Sequence, residues 1–431
     1  MNCSRGAGFW RATVPVSGML LCSILAGVAA WRVSTAQAAA GKDDDERIYE
    51  LDYRVTIDPE AEGARVELEL SQPDNYLREL DMPLKDGSIS DVGGDGELSV
   101  DDDRAVWLPR EKGGTLRWSV SINHRRGEDS YDAYINDDWA LFRAEDIIPS
   151  ANTRTLRGSN SKTRLTFELP AGWSSVTRYF GNNDTFEIDE PGRRFDTPTG
   201  WIVLGDLGIR NEDIAGIRTK VAAPVGQGVR RMDILALMRW NLPELLRVLP
   251  DFPERLTIVS AGAPMWRGAL SAPESMYIHA DRPLLSENGT STLLHEAVHV
   301  GLGVSAERGA DWIIEGLAEY YGLETLRRSG TISDDRYRAA RDDLAEWGRE
   351  ATNLCQRYSS GRVTARAVTI LTELNDQIRD ATDKEASLDD VLRELASLDE
   401  QLTVDRFEEI VTDIADSPMD ALDADNLPGC D

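Results

Sequence analysis

The chain has 431 residues, 76 acidic and 47 basic, and a formal net charge of −29. So acidic a surface repels nucleic acid and anionic membranes, which excludes a nucleic-acid partner and fits a strongly solvated exterior. The length exceeds one typical domain and predicts two or three, and a hydrophobic fraction of 41% with 11 tryptophans is that of a folded protein.

Residues 1–38 read as an export signal. Arg5 and Arg11 precede an apolar run from Val14 to Ala30, Ala36-Gln37-Ala38 has the spacing of a cleavage site, and no acidic residue occurs in the segment. Cleavage predicts a periplasmic or extracellular protein. The alternative is an uncleaved anchor ending at Arg32, the one case in which the chain meets a membrane. Cys3 and Cys22 leave with a cleaved signal, so Cys355 and Cys430 remain and are expected to pair in an oxidising compartment.

After a charged, small-residue start at 39–46, period-two alternation takes over. Tyr49, Leu51, Tyr53, Val55 and Ile57 share one face; Val66, Leu68 and Leu70 repeat the pattern, as do Leu116, Trp118, Val120 and Ile122, then Leu165, Phe167 and Leu169. Residues 44–215 therefore predict an antiparallel β-sandwich-like domain. From residue 216 the texture changes. "RRMDILALMRWNLPELLRVL" predicts a helix kinked or broken at Pro243, and "RLTIVS" and "SMYIHAD" predict short strands. Beyond Ser291 helical spacing dominates, as in Val363, Ala367, Leu371, Leu374 and Ile378, or Phe407, Ile410, Val411 and Ile414. Ser387 with Asp390 predicts a capping box. Residues 216–431 thus form an α+β half, a mixed lobe followed by a helical lobe.

The chemistry concentrates in "TLLHEAVHVGL". On a helix His295 and His299, four apart, present two imidazoles to one ion, with Glu296 beside them. A catalytic zinc needs a third protein ligand. Only His124 and His279 are left as histidines, and Leu302 and Ser305 stand where a histidine-terminated continuation of the motif would place Gly and His. A carboxylate is the better candidate. Glu315, in "DWIIEGLAEYYG", can bind zinc while Glu319, on the same face, orients a ligand imidazole.

"HEAVH" followed by "WIIEGLAEYY" resembles the gluzincin metallopeptidases, closest to the glycyl aminopeptidase family and more distantly aminopeptidase N and leukotriene hydrolase. The resemblance spans roughly residues 216–420 and implies a thermolysin-like catalytic domain. It implies zinc held by His295, His299 and Glu315, with Glu296 as general base. In "RYSSGRV" it implies an oxyanion-stabilising Tyr358 before Gly361, with Ser360 in place of the family's lysine. In "RGALSAPES" Gly268, Ala269 and Ser271 match the strand that pairs with substrate backbone; Ser271 replaces the amine-binding glutamate, and Glu274 is the nearby substitute. The expected function is an exported zinc metallopeptidase acting on peptides or proteins, an aminopeptidase if Glu274 captures the amine. Three alternatives stay open: an endopeptidase without amine recognition, a zinc-binding scaffold that has lost turnover, and an incidental H-E-x-x-H in a protein without metal.

Overall fold

The computed structural model describes residues 47–84, 87–189 and 194–430; the expected export signal and the charged start lie outside them. The first strand, Arg47–Asp58, buries Tyr49, Leu51, Tyr53, Val55 and Ile57 and turns the residues between them outward. It pairs antiparallel with Gly63–Ser71 and parallel with Ser159–Glu168, in the middle of a seven-stranded sheet. That parallel pair closes a long crossover, which local alternation cannot reveal. A four-stranded sheet (through Leu77–Pro83 and Arg104–Leu108) and a five-stranded one (through Trp139–Arg143 and Trp201–Gly205) turn their apolar faces to the same core. There Trp107 is fully buried, and the Trp118 indole donates to the Ile147 carbonyl at 2.9 Å.

The second half is built on a five-stranded sheet in the order Leu207–Ile214, Ile217–Pro224, Arg255–Ala261, Ser275–His279, Ala269–Ala272. Its first two strands form a hairpin whose turn residues, Ala215 and Gly216, have φ of 54° and 91°, the left-handed backbone a tight two-residue hairpin requires. The expected division at 215/216 falls at the tip of that hairpin, so Leu207–Ile214 joins the sheet of the second half. Alternation marks a strand but not its partner. The next two pairings are parallel, and Ala269–Ala272 closes the sheet antiparallel, as an edge strand.

A short helix, α1 (Ala144–Ile147), belongs to the β half; α2 (Arg231–Val248) packs Ile234, Leu235, Met238, Leu242 and Leu245 toward the five-stranded sheet. α2 runs through Pro243 without a break. Among the described residues six more α-helices follow: α3 (Thr292–Leu302), α4 (Asp311–Arg328), α5 (Asp334–Gly348), α6 (Arg362–Ala381), α7 (Leu388–Ala396) and α8 (Val404–Ala415). Trp312, Leu317, Leu371, Leu374 and Phe407 join them in one core; each such side chain taken from water contributes roughly 1.5–3 kcal/mol. The Ser387–Asp390 capping box opens α7. Cys355 and Cys430 are joined as a disulfide across 75 residues, which ties the C-terminal tail to the loop before α6. Among the described residues no helix is long and apolar enough to cross a membrane.

Candidate metal centre

Local sequence fixes α3 at both ends. The Ser291 hydroxyl accepts the Leu294 N–H at its start, and Gly303, at φ 66°, ends it in the left-handed region. Leu293, Leu294, Ala297 and Val298 go into the core, and α3 packs over the edge strand Ala269–Ala272 and against α4. His295 and His299 are thereby turned toward α4. Their rings lie 4.9 Å apart and their Nε2 atoms 3.1 Å apart.

From α4, Glu315 places one carboxylate oxygen 3.4 Å from His295 Nε2 and the other 3.4 Å from His299 Nε2. One ligand atom from each of the three residues lies within 4.8 Å of the others. This arrangement fits zinc. Tetrahedral bonds of about 2.0–2.1 Å separate neighbouring ligand atoms by roughly 3.3 Å. Two imidazole nitrogens and a carboxylate are also the donor set of a catalytic zinc with one open position. Glu319, one turn further along α4, sits 3.1 Å from His295 Nδ1. That contact selects the tautomer with Nδ1 protonated and leaves the Nε2 lone pair for a metal.

The electrostatics without metal follow the same geometry. Burial pulls the His295 pKa down, but hydrogen bonds to Glu315 and Glu319 outweigh it and hold the ring well above its ordinary value. Burial pushes Glu315 up, and the two histidines overcome that and hold it far below the usual carboxylate range. Glu296 is 7% exposed on the same helix, and its charge acts on His295. Asp311, one turn before Glu315, accepts the Ser359 N–H. Its pKa is raised by burial and by the Glu315 charge.

The remaining expected residues are placed unequally. Tyr358 adjoins Ser359 and so lies on the loop tied to the start of α4, but the residue is 71% exposed, with the Arg357 guanidinium 5.1 Å from its ring centre. Among the described residues its hydroxyl touches no member of the metal cluster. Ala269 and Ser271 lie on the edge strand beneath α3, in register with Ile278 and Met276. Gly268 precedes that strand; a Cβ there would fall 2.1 Å from the Trp266 ring, so only glycine lets the indole lie on the backbone.

Glu274 corrects the sequence reading. It occupies the hairpin turn after the edge strand at φ 48°, and its carboxylate is held by Arg178 at 3.0 Å and Arg255 at 3.1 Å. A carboxylate neutralised by two arginines is not free to take a substrate ammonium. Nothing in "SAPES" signals this, because both arginines come from distant strands and loops. His124 is exposed and His279 buried, and neither joins the cluster. Asp311 and Ser359 were missed: an aspartate opening a helix reads as an ordinary dipole-compensating residue, and a backbone N–H carries no sequence signal.

Neither a scan of protein-family models nor a search of curated proteins returns a match. Solved structures do match. An aminopeptidase N family protein from Idiomarina loihiensis superposes with TM-score 0.61 at 16% identity, over 80% of this chain and 70% of the other. A mutant two-domain M1 zinc metallopeptidase bound to L-tryptophan gives 0.55 at 14% identity, over 89% and 94%. A mutant M1 zinc metallopeptidase from Deinococcus radiodurans gives 0.54 at 15% identity, over 86% and 91%. With a β-rich first half and a mixed, then helical, second half that carries the His-His-Glu cluster, this chain has the fold of the M1 zinc metallopeptidases.

Proposed function

We propose that this chain is an exported zinc-dependent peptidase. The observation that carries the reading is the convergence of His295, His299 and Glu315 beside a buried Glu296. Zinc held by those three residues supplies Lewis acidity to a substrate carbonyl and to a water. The chain's own groups do the rest. Glu296 takes the water proton and passes it to the departing amine. Glu319 keeps His295 in the tautomer that leaves Nε2 unprotonated. The edge strand Ala269–Ala272 aligns peptide backbone beneath α3, and Tyr358 is the hydrogen-bond donor to the developing oxyanion.

Zinc-loaded wild type is expected to hydrolyse peptides. Glu296→Gln keeps its zinc and loses turnover, whereas His295→Ala with His299→Ala loses the zinc. Full zinc in that double variant refutes the ligand assignment; zinc-loaded wild type without turnover on a broad peptide library favours the scaffold reading. Export is supported by the charge and apolar pattern of residues 1–38 and by the Cys355–Cys430 pair. N-terminal sequencing of the secreted or periplasmic protein checks it, with Ala39 expected first.

The likeness to an aminopeptidase N family protein favours an aminopeptidase. A second reading, cleavage of internal bonds, is favoured by Glu274, whose engagement with Arg178 and Arg255 removes the amine anchor expected from sequence. A buried ammonium without a carboxylate is costly, so an aminopeptidase has to anchor the amine elsewhere. Matched peptides with free and acetylated N-termini separate the two: an aminopeptidase cuts only the free peptide, an endopeptidase both.

A further inference from the structure

Among α4, α5, α6 and the start of α7 lies a cavity of about 530 Å³, with none of His295, His299 and Glu315 in its lining. In a chain whose formal net charge is −29, five arginines converge on it: Arg327, Arg328, Arg338, Arg341 and Arg379. Two of them are already neutralised. Arg327 and Arg328 hold the buried Glu324 at 2.5 and 2.8 Å. Arg328 also grips Asp389 through both terminal nitrogens, at 2.8 and 2.9 Å, while the Tyr321 hydroxyl donates to the same carboxylate. These pairs fix the wall and cancel each other's charge.

The other three arginines keep theirs. Among the described residues Arg338 pairs only with Asp335, whose side chain is 90% exposed; such a pair is worth little. Among the described residues Arg341 and Arg379 form no ion pair, and Arg341 rests 5.6 Å from the Tyr337 ring. The nearby polar groups of the wall are donors as well. Asn375 already accepts the Leu388 N–H with its oxygen, so its amide N–H groups are what it has left to offer. The Thr372 hydroxyl is buried without a partner among the described residues. Asp334 and Asp376 also belong to the lining, but both are exposed to solvent, where water and salt screen them. A second cavity of about 280 Å³ shares Arg338, Arg341 and Thr372 and extends the groove between α5 and α6.

We propose that this cavity binds a small dianion carrying phosphate or carboxylate groups. Guanidinium forks match the oxygen pairs of both, and among the described residues Arg341 and Arg379 form no ion pair that would compete for them. The site is separate from the peptidase chemistry and stands whether or not that function is correct.

The test is isothermal titration calorimetry on the full zinc-loaded protein at constant ionic strength, with inorganic phosphate in one arm and succinate in the other. One-to-one binding of at least one of them is expected. Binding of phosphate alone identifies a phosphorylated ligand, succinate alone a dicarboxylate, and both an undiscriminating dianion site. The Arg341→Gln, Arg379→Gln double variant is expected to weaken binding at least tenfold while retaining its zinc. Should the double variant fold poorly, Arg379→Gln alone, at a half-exposed position without an ion pair, carries the comparison, with at least a threefold loss. No binding of either dianion, or wild-type affinity in the arginine variants, overturns the proposal.

Discussion

Replacing Glu319 by alanine tests the metal centre without touching a ligand. Its carboxylate is 3.1 Å from His295 Nδ1, and both side chains are largely buried, with 14% and 18% exposure. The variant leaves a buried N–H without an acceptor, at a cost of about 1–3 kcal/mol, and frees the ring to turn Nε2 away from its partners. Loss of such a partner weakens metal binding roughly 10–100-fold, or about 1.4–2.8 kcal/mol, so the two arguments agree in size. A proton effect opposes it. Glu319 helps to raise the His295 pKa, so its removal eases the competition between proton and zinc. That relief counts only where His295 is protonated, so the loss of affinity is expected to be larger at a pH above the raised His295 value than at one below it. Competition with a chromophoric zinc chelator at both pH values measures it. Glu319→Gln, which keeps a neutral acceptor, is expected to recover part of the affinity. Equal zinc affinity in wild type and Glu319→Ala above the raised His295 value refutes the orienting role.

Three further outcomes are expected. Tyr358→Phe lowers kcat roughly a hundredfold or more on the best peptide substrate, as expected for a lost oxyanion donor; an unchanged kcat returns the exposed tyrosine to a surface role. Reducing the Cys355–Cys430 bond, or replacing both cysteines by serine, lowers stability by roughly 2–4 kcal/mol in urea unfolding, below the chain-entropy ceiling of about 4.5 kcal/mol for the 75-residue separation. In metal-stripped protein the His295 contribution is complete below its unfolded value of 6.5 and fades as pH rises through the raised folded value, while the Glu315 contribution is complete above 4.5 and fades as pH falls through the depressed folded value. The cluster therefore stabilises most between those two values, and a Glu315→Gln variant compared with wild type by thermal unfolding across pH is expected to lose that advantage there.

The parts of the fold that depend on local pattern were legible. Alternation in Tyr49–Ile57 marked a strand because one face of it meets the core, and Ser387 with Asp390 marked a helix start because the box is made by residues three apart. The His295–His299 pair was legible for the same reason, since four residues on a helix fix the spacing. Partners distant in sequence were not. The parallel pairing of Arg47–Asp58 with Ser159–Glu168, the hairpin that carries Leu207–Ile214 into the second sheet, and the two arginines on Glu274 all depend on which distant segments meet. Nearness along the chain to Ser271 points to Glu274, yet the turn between them reverses direction and delivers its carboxylate to Arg178.

One helix organises much of what the second half can do, and its sequence explains how. Asp311, Glu315 and Glu319 recur every four residues, so a single face of α4 holds the Ser359 backbone, the two histidines and the His295 Nδ1 in turn. Three acids in a row on one face repel each other, and that repulsion is relieved where a histidine pair, and then a divalent ion, faces them. Two glycines let the neighbouring helices approach. A Cβ at Gly316 would lie 2.6 Å from Ala367 of α6, and one at Gly322 would lie 3.3 Å from the His295 backbone of α3. The close approach at Gly322 brings α3 near enough for a carboxylate as short as glutamate to bridge both imidazoles. One turn beyond Glu319, the same helix changes character: Glu324, Arg327 and Arg328 turn to the arginine-lined cavity and lock one another. The acidic stretch of α4 thus complements a metal cation beside the histidine pair, whereas its Glu324, Arg327 and Arg328 stretch is neutralised by its own pairs and only frames a cavity whose free positive charge comes from Arg338 and Arg341 of α5 and Arg379 of α6.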